Sequence, residues 1–193
     1  MAYNDDLRKE VKDLILKNKQ YIQNNNWDGF FESIEAAMEA SEFTHLTEYT
    51  KHEIDYWGVV HEVYAGVFQF CLECVPDLLY KITYIPRYAF FGSDIKSINI
   101  PSNIKEIREC AFVSSLLERI DIPNSVKRIG YGAFSYCESL EYVIIPDGVM
   151  EISEGIFEGD YNLKYLSISK RLEGKSFLYD IDECEDCEIE VRE

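Results

Sequence analysis

LERIDIPNSVKRIGYGAFSYCES, residues Leu117 to Ser139, is one copy of a unit that recurs from Ile82 to Ile168. Three columns fix its register. The strand-ending pairs are Ile100-Pro101, Ile122-Pro123 and Ile145-Pro146, with Ile168-Ser169 in the fourth place. The aromatic column is Phe90, Phe112, Phe134 and Phe157, and between the two run the pairs Ile82/Ile85, Ile104/Ile107, Val126/Ile129 and Val149/Ile152. Every spacing is 22 or 23 residues. Self-similarity at a short fixed period is the signature of an architecture of stacked repeats.

The unit's physics follows from its spacing. Ile95/Ile98/Ile100, Leu117/Ile120/Ile122, Leu140/Val143/Ile145 and Leu163/Leu166/Ile168 each end in a period-2 pair, as a short strand does when alternate residues point inward. Pro lacks a ladder donor, so it ends the strand and turns the chain. The V-x-x-I pair returns two apolar side chains to the same axis, and the Ala-Phe pair plugs the coil. No single turn can bury its own apolar face, so the turns must stack on one another. The spacing predicts a right-handed solenoid with a narrow parallel sheet on one side and nothing catalytic in the repeat.

This register resembles the BspA-type leucine-rich repeat family, whose pattern is I-x-I-P-x-x-V-x-x-I-G-x-x-A-F-x-x-C-x-x-L. Phe134-Ser135-Tyr136-Cys137-Glu138-Ser139-Leu140 matches its second half almost letter for letter. The resemblance covers residues 78–172, about half the chain. It implies a binding scaffold of the kind seen in bacterial surface adhesins, protist surface proteins and short intracellular or phage-encoded members. The chain departs from the pattern at Ile156, which replaces Ala, and at Ser169, which replaces Pro, and the repeat letters fade after Leu172. A worn last turn approaching a cap is therefore expected.

The fold class expected is α+β: a helical N-terminal region, residues 1–77, capping a solenoid of about four turns, residues 78–172, with an acidic C-terminal cap and tail at 173–193. Residues 4–23 read as an amphipathic helix with Leu7, Val11, Leu14, Ile15, Asn18 and Ile22 at three- and four-residue steps. Asn24-Asn25-Asn26 reads as a turn, and residues 28–40 as a second helix with Phe30 or Phe31, Ile34, Ala37 and Met38 on one face. In residues 50–75, Ile54, Trp57, His61, Tyr64, Phe68, Cys71 and Val75 fit a helix face. Val59, Val60, Val63 and Val67 prefer strand, and Gly58 and Gly66 weaken a helix. A helix ended by Pro76 is the reading, with a break near either glycine as the variant. Cys187, Ile189 and Val191 alternate with Glu188, Glu190 and Arg192 as a last strand closing the C-terminal end.

The chain carries 36 acids against 19 bases, a net charge of −17. Residues 1–80 hold 15 acids and 6 bases, residues 81–179 hold 13 and 12, and the last 14 residues hold 8 and one. The acidity thus sits in the flanks of a nearly neutral solenoid. Direct nucleic-acid binding is disfavoured, since phosphate contacts need clustered Lys and Arg, and so is an anionic membrane surface. The first ten residues show no apolar signal segment, and no run reaches the length of a membrane span. A cytoplasmic protein, of the encoding cell or of a phage-infected host, is the expectation.

Two C-x-x-C pairs, Cys71/Cys74 and Cys184/Cys187, could form a structural zinc site. Four intervening turns at strand spacing would separate them by on the order of 20 Å, so a shared site is not expected. The C-terminal pair keeps a local metal or disulfide as an alternative, although its acidic neighbours would raise the thiol pKa values. Cys110 and Cys137 sit in the repeat and read as core. His45, His52 and His61 lack zinc-protease spacing, and no nucleophile elbow, phosphate-cradling loop or kinase signature is present. No enzyme activity and no cofactor is expected.

What remains is surface. Outward positions on successive strands form ladders: Lys96, Glu118, Glu141, Lys164; then Ser97, Arg119, Tyr142, Tyr165; then Asn99, Asp121, Ile144, Ser167. Tyr and Arg are enriched at interface centres, so Arg119, Asp121, Tyr142, Ile144 and Tyr165, flanked by Lys96, Glu118, Glu141 and Lys164, are the candidate partner-binding residues. The competing reading is that stacked aromatics stabilise the sheet as cross-strand neighbours. The expected function is non-catalytic binding of another protein, with size and helical N-terminal part similar to phage-type members that would block a host protein such as a defence nuclease. The alternatives are an acidic nucleic-acid mimic filling a basic groove and a fragment of a surface adhesin.

Overall fold

The period of the sequence is the period of the hydrogen bonding. In the computed structural model, which describes residues 5–39, 56–181, 184 and 187–193, the chain forms two units, Met1–Lys81 and Ile82–Glu193. The second is a β-solenoid.

Its V-x-x-I pairs form one parallel sheet of two-residue strands, β1 (Tyr84–Ile85), β2 (Glu106–Ile107), β4 (Arg128–Ile129) and β6 (Glu151–Ile152), in that order. Its I-x-I segments form another, β3 (Arg119–Asp121), β5 (Tyr142–Ile144), β7 (Tyr165–Ser169) and β8 (Glu188–Arg192). The solenoid therefore carries two parallel sheets where the spacing predicted one. The reason is the turn between them. The carbonyls of Pro101, Pro123 and Pro146 accept from the N–H groups of Ile104, Val126 and Val149 at 3.1, 3.0 and 3.2 Å, which folds the chain and lets it extend again along the next side. The first unit departs from expectation: Ile95 to Ile100 supplies no strand, and Ile95 and Ile98 are only half-buried.

The third side has no strands but stacks just as regularly. The N–H groups of Phe90, Phe112 and Phe134 donate to Ala111, Ala133 and Ile156 of the next turn at 2.8, 2.8 and 3.1 Å. Those of Gly92, Ser114 and Tyr136 donate to Val113, Ser135 and Glu158 at 2.9, 3.0 and 2.7 Å. Such outward-bulging turns need left-handed backbone on either side of the Ala-Phe pair. One column before Ala, made of Tyr88, Cys110, Gly132 and Gly155, has φ of 54°, 55°, 60° and 68°. A second column, two residues after Phe, is Gly92, Ser114, Tyr136 and Gly159 at 58°, 56°, 56° and 80°. Half of these eight positions carry a side chain, in a conformation that favours glycine. This column also corrects the reading of Cys110 as core: the residue is half-exposed because it occupies a turn position equivalent to Gly132.

Inside, Phe90, Phe112, Phe134 and Phe157 stack in sequence, ring centroids 4.9, 5.4 and 6.0 Å apart with interplanar angles of 7°, 19° and 20°. The last turn continues the stack although its letters have faded. Phe177 lies 6.4 Å from Phe157, and β8 pairs with β7 over five residues, Tyr165↔Glu188 to Ser169↔Arg192. Ser in place of Pro at 169 restores a backbone donor, so these strands outgrow their three-residue neighbours. Ile189 and Val191 share register with the inward Leu166 and Ile168 yet remain 44% and 38% exposed, because no described strand pairs with β8 on its far side. Arg171 reaches back to the carbonyls of Val149 (2.8 Å) and Asp147, and Arg192 to that of Ile145.

One corner absorbs the difference between 22 and 23 residues. Between the small polar residue after the turn and the next inward aliphatic there is one residue in the early turns (Ser93-Asp94-Ile95 and Ser115-Leu116-Leu117). In the later ones there are two (Cys137-Glu138-Ser139-Leu140 and Asp160-Tyr161-Asn162-Leu163). The longer corners close through Leu140 N–H to Cys137 O at 2.8 Å and Leu163 N–H to Asp160 O at 3.3 Å.

The same column, Ser93, Ser115, Cys137 and Asp160, is buried. Ser115 Oγ and Cys137 Sγ lie 3.4 Å apart, and the Cys137 N–H donates to Asp160 Oδ1 at 2.7 Å. Asp160 is 1% exposed and its other oxygen has no partner. Burial, reinforced by the charge of Asp180 and opposed by the Cys137 N–H, pushes this carboxyl up to about 8.

The N-terminal unit contains α1 (Asp5–Lys17), α2 (Lys19–Gln23), α3 (Trp27–Glu39) and α4 (Tyr56–Cys74). The helix expected over residues 4–23 is two, interrupted at Asn18. Asn18 is buried, its Nδ2 donating to Leu14 O at 3.0 Å and its Oδ1 accepting from Ser33 Oγ at 2.7 Å. A side chain that bonds its own backbone competes with the helix ladder. Helix α3 begins one residue earlier than expected because Asn26 Oδ1 accepts the Gly29 N–H at 3.1 Å, an N-cap. Helix α4 is continuous through Gly58 and Gly66. Residues 63–68 are all buried, so packing overrides the strand preference of its valines. The Tyr64 hydroxyl donates to Phe31 O at 3.3 Å.

Two stability predictions follow from the solenoid. Gly132→Ala should lower unfolding free energy by about 1–2 kcal/mol, since its methyl, at φ 60°, would also meet Ser135 Oγ at 3.0 Å and Cys110 Sγ at 3.3 Å. Ser114→Gly should be neutral or stabilising by up to about 1 kcal/mol. Urea midpoints decide, and equal losses in both variants would contradict the left-handed columns. For Asp160, whose folded pKa lies above the unfolded value of 3.8, the contribution of this carboxyl to stability is fully present below pH 4 and is lost as pH rises toward 8. The slope is about 1.4 kcal/mol per pH unit. Asp160→Asn should flatten this slope in urea melts at pH 4.5 and 7.5, and an unchanged slope would refute it.

Candidate partner-binding face

Parallel pairing puts equivalent residues of successive turns side by side, so the outer face of the second sheet is a set of rows. Arg119, Tyr142, Tyr165 and Glu188 are consecutive partners in one, and Asp121, Ile144, Ser167 and Glu190 in the next. The Tyr142 and Tyr165 rings are 6.4 Å apart and tilted by 39°. Tyr142 is 42% exposed, while Tyr165 and Ile144 are half-buried.

Arg119, Asp121, Ser167 and Glu190 are held around this centre. Arg119 lies along its own strand, Nε and Nη2 donating to Asp121 at 3.1–3.3 Å, with both side chains 57% exposed. Tyr165 Oη and Ser167 Oγ both donate to Glu190 Oε2 at 2.6 Å. Those bonds, Ser167 first, hold the Glu190 carboxyl below its ordinary value, and the bond to Glu190 raises the Tyr165 phenol above its own, against an opposing effect of Ser167. The sequence reading missed Glu188 and Glu190, because the faded repeat letters hid that β8 extends both rows. Along the edge, Lys96 pairs with Glu118 and Lys164 with Glu141, each at 2.6 Å. The face is thus preorganised, with Tyr142 its most exposed aromatic and two ion pairs along one edge.

The other sequence-level constellations resolve differently. The basic residues at 105, 108, 127 and 128 are each engaged within the solenoid. Arg128 pairs with Glu106 at 2.8 Å, Arg108 lies 3.5 Å over the Tyr84 ring, and Lys105 and Lys127 donate to the Ser102 and Asn124 carbonyls. All six cysteines are free thiols. Cys71 is buried in α4 and pushed up to about 12, by burial first and Cys74 second. Cys187 is pushed up to about 11, by burial first and Cys184 second. Cys184 Sγ donates to Asp160 O at 3.2 Å. His45 and His52 lie outside the described residues, as does the side chain of His61. Among the described residues no helix is long and apolar enough to cross a membrane.

No match to the chain is found among curated proteins. Among solved structures, a leucine-rich repeat protein from Bacteroides ovatus ATCC 8483 shares 31% identity over 58% of this chain and 29% of its own, with a TM-score of 0.46. The T. pallidum leucine-rich repeat protein TpLRR shares 29% over 49% of this chain and 44% of its own, TM-score 0.38. The pneumococcal vaccine antigen PcpA shares 26% over 57% and 25%, TM-score 0.43. The chain spans less than half the length of each. The BspA type leucine-rich repeat region matches residues 60–180 in six copies. That match takes in well over half of the sequence and the whole stacked Phe column, and on it the chain belongs to the BspA-type leucine-rich repeat family.

Proposed function

We propose that the chain is a non-catalytic protein-binding module whose working surface is the outer face of the second sheet, centred on Tyr142. Leucine-rich repeat proteins generally mediate protein–protein interaction, and the family and fold are generally non-catalytic. The observation that carries the reading is the strand register. It lines up Arg119, Tyr142 and Tyr165 beside Asp121, Ile144 and Ser167, a rigid aromatic centre with two ion pairs along one edge. Interfaces draw most of their binding energy from such centres, while rim charges contribute specificity and association rate. The narrower reading is a cytoplasmic, phage-encoded protein that blocks a host protein such as a defence nuclease. It rests on the resemblance to the family's short members alone.

The test is retention of partner proteins from a lysate of the source cells, followed by titration of any captured protein against purified variants. Tyr142→Ala/Tyr165→Ala should weaken binding at least about tenfold, with circular dichroism unchanged. Neutralising Glu183, Glu185 and Asp186 should leave it within twofold. Loss confined to the neutralised form, with release by moderate salt, would transfer the function to the acidic mimic of a nucleic acid.

A further inference from the structure

On the strandless side of the solenoid, the third and fourth turns carry a second exposed aromatic group, away from the sheet rows. Tyr131, Tyr136 and Tyr161 are 54%, 50% and 61% exposed. They exist there for structural reasons. Tyr131 lies over Gly155 and Tyr136 over Gly159, so close that a methyl on either glycine would meet ring carbons at 3.0 and 2.5 Å. Tyr161 occupies the residue that lengthens the fourth turn's corner. The earlier turns offer no equivalent: the positions matching Tyr131 hold Arg87 and Glu109, and those matching Tyr136 hold Gly92 and Ser114.

The rings share their ground with carboxylates. Tyr136 Oη donates to Glu158 Oε1 at 3.1 Å. Glu158 and Glu154 are both near enough to Asp180 for their charges to add to the effect of burial in raising its carboxyl pKa, and Asp180 accepts the Phe157 N–H at 3.4 Å. No Lys or Arg pairs with Glu154, Glu158 or Asp180 among the described residues, although seven other acids of the solenoid do have such partners. Three tyrosine faces beside three uncompensated carboxylates complement one chemistry. A guanidinium is planar and stacks on an aromatic face while its N–H groups reach carboxylate oxygens. The same protein already makes this contact internally, with Arg108 centred 3.5 Å over Tyr84.

We infer that this turn face, Tyr131, Tyr136 and Tyr161 with Glu154, Glu158 and Asp180, is a docking surface for an arginine-rich peptide segment of a partner protein. It is separate from the sheet face. A partner could engage either alone, and the net charge of −17 would steer a basic segment toward the chain from a distance.

A fluorescein-labelled nonapeptide alternating Gly and Arg, followed by anisotropy against the full chain, tests this. The same peptide with citrulline in place of Arg is the neutral control. Wild type should bind the Arg peptide and not the citrulline one. Tyr136→Ala/Tyr161→Ala should weaken binding at least about tenfold, and Glu154→Gln/Glu158→Gln by about fivefold. Tyr142→Ala/Tyr165→Ala and the remote pair Glu173→Gln/Glu188→Gln should stay within twofold. Tyr161→Ala alone, which alters only an exposed side chain, should still lose about threefold, so a folding defect at Tyr136 cannot mimic the result. Binding that falls equally in the remote acid pair, that ignores the tyrosines, or that is absent up to about 1 mM peptide would overturn the inference.

Discussion

Contact between successive turns along the solenoid axis is the interaction on which the rest of this structure depends. The near-parallel stack from Phe90 to Phe157 runs beside both sheets and the ladders at the Ala-Phe turns. A turn removed from its neighbours would expose its Phe, its inward aliphatics and its backbone donors together. Burial of one such Phe is worth about 1.5–3 kcal/mol, which is small against the ordering of more than twenty residues at about 1 kcal/mol or more each. Stability thus belongs to interfaces between turns, as it does in other linear repeats.

Much of this was legible because the columns that stack are the columns that repeat. The Ile-Pro, V-x-x-I and Phe positions could be read directly, and with them the parallel strands and the order of the outward rows. Two sheets could not be separated from one, since the letters show inward residues without showing where the Pro-initiated turn changes direction. The left-handed columns stayed hidden for a different reason. Only half of their positions are glycine, and Tyr88, Cys110, Ser114 and Tyr136 carry no local sign of positive φ. The last turn lost its letters while keeping its geometry, so Glu188 and Glu190 were visible as strand residues but not as members of the candidate face. In the helical unit, periodicity located the helices, but Asn18 looked like a face position and proved to be an interruption.

The candidate sheet face illustrates how a repeat protein acquires a surface without a loop-built site. Inward positions are constrained to aliphatics, so outward ones are free to vary, and the parallel register converts one residue per turn into a continuous row. Arg119, Tyr142 and Tyr165 are far apart in sequence and consecutive in space. The pairings with Asp121 and Glu190 fix side chains that would otherwise lose rotamer entropy on binding. Exposed ion pairs of this kind add little to folding stability, and their value lies in preorganisation.

The single corner that takes up the extra residue of the longer turns has a consequence for how such a chain can diversify. Because Glu138-Ser139 and Tyr161-Asn162 are accommodated where Asp94 and Leu116 suffice, a length change there leaves the Phe stack and both sheets in phase. A codon gained at any inward column would instead rotate every later side chain out of place. Evolution and the protein engineer thus face the same geography, with one elastic seam running up an otherwise rigid thread, along which new side chains can be spliced turn by turn.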